Sequence, residues 1–415
     1  MDGPRHKWSV VGTLWVVACL NYLDRQIVFS LFPVLKADLH IPDVQLGLLS
    51  SSFLFAYGFA SLFAGYAALV FGIGRTIAGS LVVWSLATLL TGFSNSGLEM
   101  IGARAVMGLS EALYIPAALA LVAALHSTAT RSRATALHQS GTYAGIIAGG
   151  VLGGWFAQTI GWRQGFWVLG TAGVAYILVL QPALKAAAGA SAPVLKQTRP
   201  RLKSLFAELS RLDGFFPMLA VFCLFSAAGW LVMTWMPLFL YEKFGMSLVE
   251  AGLAATLYLN IGAFSGIFLG GWISDRIGVR LPRFRMWVPA FGFLCSALFL
   301  MITINTGSRA LLYIALTLFG FGRGLCDCNI LPLLCYIAKP DLRAAGYGFL
   351  NCGGCITGGV MAGLAGGLKA SIGLEGALAA SALGLVIAAA LLFGPVARVA
   401  PSASSRVRFS PAERA

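Results

Sequence analysis

Residues 8–35 read WSVVGTLWVVACLNYLDRQIVFSLFPVL. At ~1.5 Å per residue the stretch is long enough to cross the ~30 Å hydrocarbon core of a bilayer as a helix. Only Asp24 and Arg25 in it are ionisable. A charge at the centre of a membrane helix costs at least ~2.5–3.5 kcal/mol, so such residues need a partner, a water-filled cavity or a ligand. Those are the features of a transport pathway.

The rest of the chain fits that reading. Of 415 residues, 58% are hydrophobic and 11% charged, with a mean hydropathy of +0.83. A soluble domain carries about 25% charged residues. The 50 glycines suit close helix–helix approach. Runs long enough to span recur at 8–35, 44–70, 76–94, 98–125, 134–158, 164–186, 213–240, 248–274, 285–304, 309–338, 344–368 and 374–397. The fold class is therefore an all-α integral membrane protein of twelve transmembrane helices. No secretory signal is expected, because the first apolar run is too long and is interrupted by Asp-Arg.

The net charge of +14 is mostly a topology signal. Most Lys and Arg fall in alternate loops, from Arg5 and Lys7 to the C-terminal arginines, while Lys36, Arg163, Lys243, Arg309 and Lys369 take the other side. Both termini are thus expected in the cytoplasm of a multi-pass protein of the cell (inner) membrane. The expected partners are the lipid bilayer and a small-molecule substrate. Nucleic acid is not expected, and nothing demands an oligomer, so a monomer is the reading. The eight cysteines all lie in apolar segments. Cys352-Gly-Gly-Cys355 has no surrounding βαβ pattern or nearby histidine, so it reads as packing rather than as a metal or redox site.

The longest loop, Lys185–Leu212, is Ala/Gly/Pro-rich at first and can form a basic amphipathic helix later. It splits the chain into an N-terminal bundle (1–186), a cytoplasmic linker (187–212), a C-terminal bundle (213–398) and a cytoplasmic tail (399–415). The halves echo each other. GYAALVFGIGR from Gly65 parallels GWISDRIGVR from Gly271, and Arg133-Ala-Thr-Ala-Leu parallels Arg343-Ala-Ala-Gly-Tyr. Paired six-helix repeats suggest alternating access around a central site.

Gly271-x-x-x-Asp275-Arg276-x-Gly278 resembles the cytoplasmic loop signature of the major facilitator superfamily, and the resemblance covers nearly the whole chain. It implies two pseudo-symmetric six-helix bundles, with Gly271, Asp275, Arg276, Gly278, Arg133 and Arg343 in gating. Asn21-Tyr22-Leu23-Asp24-Arg25 and Arg104-x-x-x-Gly108-x-x-Glu111-Ala112 resemble its anion:cation symporters, the hexuronate, galactonate and sialic-acid carriers. The resemblance implies that Asp24 and Glu111 couple protons, that Arg25 and Arg104 bind substrate, and that Tyr57 and Thr142 face it. The same phrases are similar to those of spinster-like lipid carriers. The first-half loop departs from the signature, with Leu69-Val70 in place of Asp-Arg. Either the balance shifts toward an inward-facing state or another contact compensates.

Six charges lie in spans: Asp24, Arg25, Arg104, Glu111, Arg323 and Asp327. Arg104 and Glu111 are seven apart, so they share one face of a helix about 10 Å apart along its axis, too far to pair directly. That separation suits a substrate or Asp24 between them. Glu111 is read as a proton carrier, with a polar clamp between helices as the alternative. Asp24 exchanges a proton or sits in a fixed salt bridge with Arg25 or Arg104. Neighbours on a helix diverge by ~100°, which leaves Arg25 free to meet a carboxylate, or else to pair with another helix. Arg323 and Asp327 are one turn apart and read as a local ion pair, with Asp327 and Asn329 kept as cavity candidates. Gln139, Trp230, Tyr258, Asn260, Asn351 and His138 are further candidate lining residues, each also ordinary packing material.

The sequence contains no Walker loop and no HExxH, so no cofactor or metal is expected and the chain does not read as an enzyme. The favoured function is proton-coupled symport of a small organic anion such as a sugar acid, with sodium left open as the coupling ion. A lipid or drug transporter of the same fold is the alternative. A receptor without transport activity is a third.

Overall fold

In a computed structural model that describes residues 4–187, 202–278 and 284–396, the chain is helical along almost its whole length. Backbone polar groups in hydrocarbon must be satisfied within their own segment, which leaves the helix as the way to cross. The first half runs α1 (Pro4–Ser30), α2 (Phe32–Asp38), α3 (Asp43–Ser61), α4 (Ala64–Phe71), α5 (Ile73–Thr91), α6 (Gly97–Glu111), α7 (Tyr114–Leu125), α8 (Thr128–Thr159) and α9 (Trp162–Ala187). After α10 (Leu202–Leu209), the second half runs α11 (Phe215–Phe244), α12 (Leu248–Gly278), α13 (Phe284–Asn305), α14 (Arg309–Ile337) and α15 (Arg343–Leu391), closing on a π-turn at Leu392–Val396. Gly278, of the loop signature, ends α12; the tail 399–415 and linker residues 188–201 lie outside the described residues. Within the linker, α10 buries Leu209 and exposes Lys203 and Glu208, giving it one apolar face.

Breaks within spans have local causes. Pro33 and Pro116 lack an N–H and clash with the carbonyl four residues back. They separate α1 from α2 and α6 from α7, and Glu111 is left as the last residue of α6. Gly373, at φ +67°, divides α15 into two crossings. Nine stretches qualify as membrane spans by length and apolarity. Counting α15 twice and adding α1 and α8, which fall short only in composition because they carry polar residues, gives the twelve crossings.

The two halves pair their helices alike. α1 packs on α8 and α3 on α6; correspondingly α11 packs on α15 and α12 on α14. The α1–α8 contact is made by glycines four apart. A Cβ at Gly141, Gly145, Gly149 or Gly153 would overlap the carbonyl oxygens of Trp15, Cys19, Leu23 and Ile27 in turn. Such stripes let membrane helices touch backbone to backbone. Adjacent on α8, Gly150 and Gly154 press on Gly252 and Leu248 of α12, joining the halves. α3 meets α15 on the other side, where Gly47 abuts Ala362 and Ser51 donates to the Gly359 carbonyl at 2.7 Å.

Both interfaces are tightest at the end away from the basic loops. There Lys369 bridges Asp43 at 3.6 Å and Glu242 at 2.6 Å, and Lys36 bridges Asp43 at 2.8 Å. Phe32 meets Trp235 edge-on at 5.4 Å, and Ser50 and Thr234 hydroxyls lie 2.9 Å apart. A capping box at Ser247–Glu250 starts α12 at this end, and Ser96 caps α6 while Glu99 accepts from the Asn95 N–H.

At the basic end, Arg343 donates to the carbonyls of Ala338 and Cys335, closing the C-terminus of α14. Arg131 does the same for His126 at the end of α7. Each arginine lies five residues past the carbonyl it takes, so Arg131 is the counterpart of Arg343. This departs from the sequence pairing with Arg133, which makes no such helix-end hydrogen bond among the described residues. Asp275 accepts from Arg285 at 3.1 Å, and Arg276 lies over Trp272 at 5.2 Å. Both contacts stay within the second half. Gly271 has open space around it, and Val70 of the divergent Leu69-Val70 is 55% exposed.

Candidate functional site

The cavity sits between the halves, in the part of the bundle nearer the basic end. It has two adjoining sections of about 580 and 680 Å³, within the usual range for small-molecule sites. Tyr22, Arg25, Trp230, Arg323, Asp327 and Tyr347 line both sections. Tyr57 and Asn351 face one section, and Gln139, Thr142 and Asn260 the other. The first-half wall thus comes from α1, α3 and α8, and the facing wall from α11, α12, α14 and α15.

Arg25 is the centre of the first-half wall. Its Nη2 and Nε donate to Glu111 Oε2 at 2.8 and 3.2 Å, and Nη2 also reaches Asn21 Oδ1 at 3.4 Å. Its guanidinium carbon lies 4.4 Å from the Tyr22 ring centre, 4.8 Å from Phe53 and Tyr57, and 5.9 Å from Trp230. The expectation that Arg25 stands free for a ligand is therefore corrected: in this state Glu111 occupies it. The α6 break explains why. Glu111 ends a helix whose next turn is displaced by Pro116, so its carboxylate points back at α1. Both side chains are almost wholly buried, at 3% and 0% exposure, and in low dielectric a charge-assisted pair like this is strong only while both partners stay.

Asp24 and Arg25 diverge, as helix geometry requires. Asp24 Oδ2 accepts from Thr88 at 3.2 Å and its buried Oδ1 has no partner among the described residues. No fixed salt bridge to Arg25 or Arg104 forms. Arg104 departs furthest from expectation. It is buried and does not line the cavity; it donates to the backbone carbonyls of Leu49 at 3.3 Å and Asp24 at 3.4 Å. The Phe53 ring, 4.6 Å from its guanidinium carbon, also covers Arg25, so it separates the two arginines. Arg104 thus supports the span carrying Asp24 from behind.

Tyr258 is also corrected: it stacks on Tyr313 at 4.4 Å, away from the cavity. His138 pairs with the Tyr114 hydroxyl at 3.0 Å, and Asn329 donates to the Leu325 carbonyl; neither reaches the cavity. Arg323 and Asp327 do reach it. Their closest approach is 3.7 Å, beyond hydrogen-bond length. Asn351 donates to Ser61 at 3.2 Å across the halves. The sequence alone did not single out Tyr22, Gln26, Tyr143 and Tyr347 as lining residues, although Tyr22 lies about one turn before Arg25 and Gln26 directly after it. Among the described residues no cluster of three or more His, Cys, Asp or Glu could hold a metal, and the cysteines form no disulfide.

An all-helical bundle of paired repeats around a central, charged cavity is the architecture of a membrane transporter. The sequence profile of the Major Facilitator Superfamily matches residues 14–362, and the chain belongs to that superfamily, whose members here are transporters rather than enzymes. It is similar to an MFS-type efflux pump of Mycolicibacterium smegmatis, 30% identical over 289 residues, which cover 69% of this chain and 66% of that one. It is also similar to the probable galactarate/D-glucarate transporter GudP of Bacillus subtilis, 28% identical over 77% of this chain and 76% of the relative. A probable sulfoacetate transporter of Cupriavidus necator is 26% identical over 85% of each chain. Among solved structures, a bacterial homologue of the human lysosomal transporter Spinster, inward-facing and unoccupied, superposes with a TM-score of 0.82 over 99% of this chain and 100% of that one. At 19% identity that likeness is one of fold.

Proposed function

We propose that this protein is a proton-coupled symporter that carries a small organic anion, a sugar acid or related carboxylate, by alternating access. The observation that carries the reading is the Arg25–Glu111 pair at the cavity wall. A substrate carboxylate and Glu111 compete for one guanidinium. A proton on Glu111 removes its claim, so Arg25 turns to the substrate and no net charge is left buried. Asp24, with one carboxylate oxygen unpartnered, is the second proton site, and Arg104 steadies the span beside it. Trp230, Tyr57, Gln139, Thr142 and Asn351 surround the cargo.

The relatives named for galactarate/D-glucarate and sulfoacetate transport support an organic anion as cargo. The state described here, sealed at the end opposite the basic loops, is the inward-facing one if those loops are cytoplasmic. The protein then sits as a monomer in the cell (inner) membrane with both termini inside.

The test is uptake of radiolabelled glucuronate, galactonate and glucarate into proteoliposomes under an inward proton gradient, with a sodium gradient as the comparison. Uptake should collapse with a protonophore. Glu111→Gln should lose gradient-driven uptake but keep exchange of internal for external substrate. Folded protein that moves none of these acids would instead support the second reading, transport of lipid or drug. Resemblance to the efflux pump and the phenylalanines in the cavity wall, Phe222, Phe225, Phe264 and Phe268, favour that reading.

A further inference from the structure

The wall facing Arg25 carries its own cation. Arg323 and Asp327 both line the two sections of the cavity, with side chains 29% and 38% exposed. At 3.7 Å they attract each other without a hydrogen bond. Neither side chain has a hydrogen-bond partner among the described residues. An ion pair kept only to hold a bundle together would be expected to satisfy its donors and acceptors, because unsatisfied charged groups are costly. No donor of Arg323 is hydrogen-bonded among the described residues; its Nε faces Asp327 and its guanidinium carbon lies 5.7 Å from the Phe225 ring. Arg323 lies beside Gly229 of α11, where even a Cβ would meet the guanidinium carbon only at van der Waals distance, 3.4 Å. The next residue on α11, Trp230, presents its ring to Arg25 at 5.9 Å. The two guanidiniums therefore flank the same turn of α11 from opposite walls.

We propose that Arg323 is a second anion-binding residue of the cavity, and that the preferred cargo carries two acidic groups, one for Arg25 and one for Arg323. The inference rests on the organic-anion reading and narrows it. Charge supports it: each wall holds one arginine with one carboxylate competing for it, so a dianion meets a matching cation at each end. A monoanion would leave the Arg323–Asp327 pair unengaged. Tyr347 and Trp230, which line the cavity with both arginines, supply aromatic and hydrogen-bonding surface for the carbon chain between the acids.

The experiment compares two probes of one carbon skeleton, D-glucarate with two carboxylates and D-gluconate with one. Apparent KM for each is measured in proteoliposomes containing the full chain, wild type or Arg323→Gln. Loss of one charge-assisted contact is worth tenfold or more in affinity. The glucarate-over-gluconate preference should fall by about that factor in Arg323→Gln. Asp327→Asn, which removes the competitor for Arg323, should tighten glucarate and serves as the second variant if Arg323→Gln does not fold. A preference unchanged in Arg323→Gln, or glucarate weakened in folded Asp327→Asn, would overturn the second site while leaving anion transport standing. Wild-type protein that carries neither acid would remove the organic-anion reading and this one with it.

Discussion

Removing Glu111 alone should cost far more than removing Glu111 and Arg25 together. The pair is sealed from solvent at 2.8 Å, and a guanidinium cannot shed its proton to relieve the loss of its partner. Two charge centres about 4 Å apart at an effective dielectric of about 20 attract by about 4 kcal/mol. That agrees with the ~3–5 kcal/mol measured when one member of a buried pair is deleted. Glu111→Leu should therefore lower the unfolding midpoint of the detergent-solubilised protein by roughly 5 °C. In Arg25→Met/Glu111→Leu no buried charge is left behind, and the methionine still fills the space between Tyr22, Phe53 and Tyr57. Most of the lost stability should return. The assay is a double-mutant cycle by thermal unfolding, with the singles, the double and wild type in one detergent. A coupling below about 1 kcal/mol would refute the reasoning, since contacting partners couple by more than distant ones.

Other perturbations test the surroundings. Gly145→Ala, which pushes a methyl into the Cys19 carbonyl, should destabilise by about 1–3 kcal/mol, whereas Gly12→Ala, with open space around it, should not; thermal unfolding of both decides. Asp43→Asn removes the partner of Lys36 and Lys369 at the sealed end; each bridge is worth ~0.2–1 kcal/mol, so loss of both should raise the open population there about two- to thirtyfold, read by labelling of a cysteine introduced at Ser50. Arg25→Lys should impair uptake more than Arg104→Lys, because only Arg25 lines the cavity; the reverse order would count against the placement. Hydrogen bonds from Trp162 and Arg163 hold the Asp38 carboxyl below the usual carboxylate range. A depressed value means the stabilisation is present above about pH 4 and is lost as pH falls through the folded-state value. Wild type and Asp38→Asn should thus differ slightly in unfolding midpoint at pH 7 and converge as pH falls through the depressed folded-state value.

Much of the fold was legible because lipid imposes one rule on every segment, and twelve apolar runs announce themselves. The six intramembrane charges were legible for the same reason. Their partners were not. Arg25 finds Glu111 86 residues away, a choice made by packing and by the Pro116 break, which periodicity alone does not weigh. Arg104 lay on the Glu111 face as the seven-residue spacing required, yet Phe53 stands between it and the cavity, and periodicity cannot show what lies in front of a helix. Arg323 and Asp327 were paired correctly by their one-turn spacing; their exposure to the cavity depends on how α11 packs beside α14, which spacing does not reveal. The glycines at 141, 145, 149 and 153 were readable as a four-residue repeat and were missed, and the Arg133 echo misled because short repeats align by letters while the helix end that Arg131 closes is set by hydrogen bonds.

The paired glycines of α8 have a further consequence. Gly149 and Gly153 seat α1, while Gly150 and Gly154, one residue on, seat α12 of the other half. The first contact fixes Arg25, Gln139 and Thr142 to one stiff beam. The second is smooth on the α8 side at Gly150 and Gly154, which present no side chain to α12, whereas two turns away Tyr143 meets Phe264 edge-on at 6.3 Å; the glycine stretch alone can part from α12 and reseat without a rotamer change on α8. Ordering a freed side chain costs up to ~2 kcal/mol, and α8 would incur none of it at these positions. A lateral seam of this kind opens with little friction, so the speed of its opening should depend on what the cavity holds and on the lysine–carboxylate contacts at the sealed end.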